Sequence, residues 1–150
     1  MPLLLCRSTD CETSPVVFAH QSKWQQEILK LYGSHTCLLD ATYRTTVYDM
    51  PLFFLCVLTN VGYVNAATFL LSDERQESIT AGLRQIAAWN VDWKPDHFTT
   101  DFHEAQIAAL ETVYPGTYAL LLQRLHWGIT SCVLLLLHAC MLCFYLQYDL

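Results

Sequence analysis

Hydrophobic positions recur along this chain with two different periods, and the change of period marks its elements. From Phe18 onward, Trp24, Ile28, Leu31 and Tyr32 fall at i, i+4, i+7 and i+8, the spacing of one face of an α-helix. That stripe predicts a helix over 18–32, stopped at Gly33 and packed on the edge of whatever sheet follows. Three short β-rich runs come next. Thr36–Thr45 is the first. Pro51 opens the second, Leu52–Thr59, whose nearly unbroken apolar character suits a central strand. Asn60-Val61-Gly62-Tyr63 supplies hairpin chemistry, and Tyr63–Leu71 is the third run. Three strands joined by short turns predict an antiparallel meander.

The helical period then returns. Ser72 or Asp73 is the expected cap of a helix with the stripe Ile79, Leu83, Ile86 and Ala87, ending near Trp89-Asn90. After a loop through Trp93-Lys94-Pro95, residues 96–100 predict a fourth strand that ends at Asp101. A helix with Ile107, Leu110, Val113 and Tyr114 on its apolar side follows, stopped by Pro115-Gly116, and Thr117–Leu122 is the expected fifth strand. The order is helix, then βββαβαβ, which predicts an α/β fold with a mixed sheet and flanking helices. Residues 1–17 show no sustained period and are expected to be poorly ordered. Residues 18–127 form the expected domain, and 128–150 an apolar tail.

Composition changes this picture in two respects. The net charge is −6, and the eight Lys and Arg are scattered singly. Phosphate binding leans on clustered basic residues, so the chain alone is a poor non-specific nucleic-acid binder. The seven cysteines are odd in number, and Cys37, Cys56 and Cys132 lie inside apolar runs. That fits reduced, buried thiols better than a disulfide framework. Cys140 and Cys143 have C-x-x-C spacing, but no second ligand pair accompanies them as a zinc site requires.

Candidate chemistry sits where apolar strands end in acids. Cys37-Leu38-Leu39 leads straight into Asp40, and His97-Phe98-Thr99-Thr100 leads into Asp101. An ionised carboxylate at the end of a buried strand needs a metal ion, a basic partner or a cap to offset its burial. Two such acids on adjacent strands could hold divalent cations that clamp the oxygens of a phosphodiester; oxygen ligands suit Mg²⁺ or Mn²⁺. The bland alternative is a helix cap at Asp101 and a turn acid at Asp40. His103, Glu104 and His126 could face the same site or be solvated and structural. Arg44 and Arg75 read as ordinary surface charges. No Gly-rich phosphate loop and no G-x-S-x-G elbow is present.

Several joined motifs resemble one family. They are Phe18-Ala-His-Gln-Ser-Lys-Trp-Gln, Tyr32-Gly33, Leu38-Leu-Asp40-Ala-Thr-Tyr-Arg-Thr-Thr46 with Pro51-Leu-Phe-Phe54, and Phe98-Thr-Thr-Asp101-Phe with Ile107–Gly116. Together they are similar to the Mutator-like element (MULE) transposase domain and to its domesticated relatives, the SWIM-type zinc-finger proteins with a ribonuclease-H-like domain. The resemblance covers about residues 18–122. It implies a ribonuclease-H-like fold and Asp40 and Asp101 as the first two acids of an Asp-Asp-Glu triad. It also implies Mg²⁺ or Mn²⁺ as cofactor, DNA as the ancestral partner and a nuclear location. The departures lie after the fifth strand. Leu122-Gln123-Arg124-Leu125-His126-Trp127 stands where the family has a Cys-Asp-x-His-like sequence, so only the His is kept. Neither the third acid nor a SWIM zinc finger follows, which predicts a catalytically incomplete domain.

The tail adds a further alternative. Ile129–Leu146 carries no formal charge over eighteen residues, the lower limit for a membrane span. A helix folded back on the sheet competes with that reading, as does a tail arising from an alternative reading of the gene. Three functions therefore stand: a transposase-derived catalytic domain, a domesticated interaction domain without catalysis, and a fragment tethered to a membrane through residues 129–146.

Overall fold

The structure, a computed structural model, describes residues 15–42, 49–101 and 103–121. Its elements are β1 (Val16–His20), α1 (Lys23–Tyr32), β2 (Thr36–Thr42), β3 (Leu52–Thr59), β4 (Gly62–Leu71), α2 (Gln76–Trp89), β5 (His97–Thr100), α3 (Glu104–Val113) and β6 (Tyr118–Leu121). The six strands lie in the order β1-β4-β3-β2-β5-β6. Strands β2, β3 and β4 form the expected antiparallel meander, β1 adds antiparallel to β4, and β5 and β6 add in parallel beyond β2. This is a mixed α/β sheet with the expected βββαβαβ order, compatible with a ribonuclease-H-like fold.

The start of the chain corrects one expectation. Phe18 to His20 belong to a strand, and the helix begins only at Lys23. Ser22 sets that boundary through a capping box: its hydroxyl accepts the Gln25 N–H, and the Gln25 Oε1 accepts the Ser22 N–H. The preceding Val16-Val17-Phe18 stretch finds its backbone partners in β4.

Of the stripe that periodicity predicts for α1, only Ile28 packs against the core. Gln25 and Leu29 are buried, whereas Trp24 is 57% exposed, Leu31 71% and Tyr32 37%. The reason is a polar network that engages both glutamine side chains. The Gln25 Nε2 donates to the Asn65 carbonyl, and Gln21 Nε2 donates to that of Ala66. Gln21 Oε1 in turn accepts from Asn90 Nδ2 at 2.7 Å. A buried amide with its bonds made costs little, so these glutamines take the inward positions.

All three helices share one core. Leu29 of α1, Ile79, Leu83 and Ile86 of α2, and Ala109 and Leu110 of α3 join it with strand residues such as Leu39, Phe53, Leu55 and Phe98. Gly82 lets α2 come close to the sheet: a Cβ there would stand 2.5 Å from the Phe69 ring, which itself stacks on Phe53 at 5.0 Å. The α2–β5 loop is fixed by Trp93, whose Nε1 donates to the Gly33 carbonyl at 3.0 Å. Side chains alternate across a sheet, so Leu38, Asp40 and Thr42 project from the face opposite the one that carries Cys37, Leu39 and the helices.

Candidate metal centre

Two strands far apart in sequence build the site. The parallel pairing of β2 with β5 sets Leu38 beside Thr99 and Leu39 beside Thr100. The next residues along these two strands are Asp40 and Asp101. On its other side Asp40 is paired with Phe54 of β3, and its carboxylate is partly desolvated by burial. The β5 end is held by the buried Thr100 hydroxyl, which donates to Gln106 Oε1 on α3.

The charge of Asp101 is felt at Asp40. Asp40 has its pKa raised from 3.8 to about 6, first by burial and then by the negative charge of Asp101, with the Ala41 N–H pulling weakly the other way. A like charge nearby disfavours the ionised form of a carboxyl. Among the described residues no ion pair engages Asp40, so the basic-partner explanation is not met there. Nor is Asp101 the cap of α3. That position is His103, which makes no side-chain cap bond, and Asp101 instead accepts the His103 N–H through its backbone carbonyl at 2.7 Å.

Oxygen-preferring divalent cations fit this donor set. Two carboxylates that repel each other, one of them poorly hydrated, are relieved by a cation between them. Thr42 adds a buried hydroxyl oxygen with no hydrogen-bond partner among the described residues, on the same face two positions beyond Asp40. The sequence reading missed Thr42; its strand alternation with Asp40 was the available signal. Among the described residues no group of three or more His, Cys, Asp or Glu could hold a metal ion.

The other candidates lie elsewhere. His103 Nε2 points to Glu74 Oε2 at 3.7 Å, which directs the ring to the β4–α2 connection, and Glu104 is exposed in the first turn of α3. Arg75 is an exposed residue 3.9 Å from Asp73. Asp73 accepts the Arg75 N–H and the Ser78 hydroxyl, so it serves the start of α2 from outside the helix, which opens at Gln76 with Arg75 as its cap residue. Arg44, His126, the Cys140–Cys143 pair and the segment 129–146 lie outside the described residues. No helix among the described residues is long and apolar enough to cross a membrane.

The MULE transposase domain matches the chain over residues 36–122, more than half its length. The chain belongs to that family. The matched span runs from β2 through β6, so both carboxylates fall inside it. Among curated proteins and among solved structures no match is found. A transposase-derived origin, DNA-acting by ancestry, follows for this MULE domain; the family is generally dependent on divalent metal.

Proposed function

We propose that Asp40 and Asp101 form a divalent-cation site inherited from the transposase, and that the domain binds Mg²⁺ or Mn²⁺ without completing strand transfer. The observation that carries this reading is the parallel β2–β5 register, which leads Asp40 and Asp101 to the same end of neighbouring strands; the raised Asp40 pKa, caused by burial and by the Asp101 charge, supports it. A cation held there supplies Lewis-acid stabilisation to the oxygens of a phosphodiester. Asp40 and Asp101 would be its carboxylate ligands, and Thr42 would orient a ligand or a water with its hydroxyl. Leu122-Gln123-Arg124-Leu125-His126-Trp127 holds no acid where the family has a Cys-Asp-x-His-like sequence, which favours binding over catalysis in this reading.

Mn²⁺ titration followed by calorimetry tests it. Asp40→Asn and Asp101→Asn are each expected to weaken binding by at least about tenfold, or 1.4 kcal/mol. Unchanged affinity in both would remove the shared site. The net charge of −6 supports a second reading, a domesticated nuclear interaction domain that uses the fold as a scaffold and not as a DNA-cleaving enzyme. Partner capture that persists in an Asp40/Asp101 double mutant would support this second reading, and loss of capture with the fold intact would sink it. Kinship to SWIM-type zinc-finger proteins belongs with this proposal.

A further inference from the structure

Every described helix joins a core on one side of the sheet, yet the opposite side is not bare. Leu38 and Phe54 are only 5% and 6% exposed although neither belongs to that core. They stand on β2 and β3, in the middle of the sheet, with Cys56 directly across from Leu38. Phe18 and Leu70, paired with each other across β1 and β4, continue the same face and are half-buried. Strand β3 reads Leu-Phe-Phe-Leu-Cys-Val-Leu-Thr, an unbroken apolar run of the kind found where a strand is covered on both faces. This side thus has the burial of a covered face.

We propose that the cover is this chain's own apolar segment, Ile129–Leu146, folded back across the face that carries Leu38, Phe54 and Cys56. Three observations select it over the other outlying stretches. Residues 1–14 carry Arg7, Asp10 and Glu12, charges that an apolar sheet face would desolvate, and residues 43–48 are too few to span it. Residues 122–150 follow β6, an edge strand parallel to β5, so the chain leaves the sheet at the end where Asp40 and Asp101 stand. The dimensions also agree. Eighteen residues in a helix reach ~27 Å, and six strands spaced ~4.8 Å apart make a sheet ~24 Å across. A segment of that length covers the sheet from β6 to β1 and buries its own uncharged surface, which gives its hydrophobicity a role that requires no bilayer.

Natural cysteines make the test direct. Cys56 is half-buried on the covered side, and Cys37 is buried on the helix side, so Cys37 reports whether the sheet is folded. In the full chain, Leu135→Lys with Leu136→Lys should raise the rate of Cys56 alkylation by iodoacetamide at least about tenfold, equivalent to 1.4 kcal/mol of lost protection, while Cys37 stays protected. If Cys37 also becomes reactive, the unsubstituted chain decides the matter. A short bis-maleimide should link Cys56 to Cys132, Cys140 or Cys143 within one chain, as read by peptide mapping. An unchanged Cys56 rate with Cys37 protected would overturn the proposal. So would links formed only between two chains, or flotation of the full chain with phosphatidylcholine vesicles and no intrachain link.

Discussion

At the scale of single residues, Asp40 carries the most consequence. Its folded pKa of about 6 stands above the ordinary 3.8, so the fold favours the protonated carboxyl. The stability tied to that proton is fully present below about pH 4 and is lost as pH rises through about 6. In metal-free protein, Asp40→Asn should therefore be more stable than the parent at about pH 8, by on the order of 2 kcal/mol. The gain should vanish at about pH 4, and urea unfolding at the two pH values measures it. A pH-independent difference would mean that the environment of Asp40 is misjudged. The same linkage makes protons compete with a cation, and Mn²⁺ affinity is expected to fall about tenfold per pH unit below about pH 6. Cys37 is the opposite case. Burial pushes its thiol up to about 12, and its Sγ donates to the Gly33 carbonyl, so it is an inert packing residue.

At the scale of elements, α1 separates what periodicity can and cannot tell. Leu29→Ala should cost about 2–5 kcal/mol, as for other buried leucines, and Trp24→Ser should change stability by less than about 0.5 kcal/mol. Thermal or urea unfolding of the pair checks this; the reverse order would restore the stripe of Trp24, Ile28, Leu31 and Tyr32 as the packed face. The strands of the meander were legible because β3 and β4 are apolar and bounded by Pro51 and by the turn at Gly62, whose φ of +130° suits glycine. The helices α2 and α3 were legible from their stripes. Strand β1 was not, since a five-residue strand draws its stability from pairing with β4 and nothing local announces that partner. The inward turn of Gln21 and Gln25 was hidden for the same reason: their hydrogen bonds go to Ala66, Asn65 and Asn90. As for the site, the sequence marks Asp40 and Asp101 as acids that end apolar strands, but only the β2–β5 register brings them side by side.

At the scale of the whole molecule, the sheet has two halves. In the antiparallel half, β2, β3 and β4 are consecutive segments and β1 reaches β4 from beyond them, whereas β5 and β6 join only after α2 has crossed to the far side of β2. Long-range parallel pairings of this kind form late and slowly. Asp40 belongs to the first half and Asp101 to the second, so their carboxylates converge only once the seam between β2 and β5 has closed. A cation shared by the two would thus act as a rivet: it has nothing to grip while the halves are apart, and it opposes their separation once they have met. Saturating Mn²⁺ at about a hundred times its dissociation constant should add about 2.7 kcal/mol to global stability, raising the Tm of the parent chain, with the gain cut to about 1.4 kcal/mol or less in Asp101→Asn. On this view the two acids serve as a proofreading device for assembly, since only a completed sheet can hold the ion.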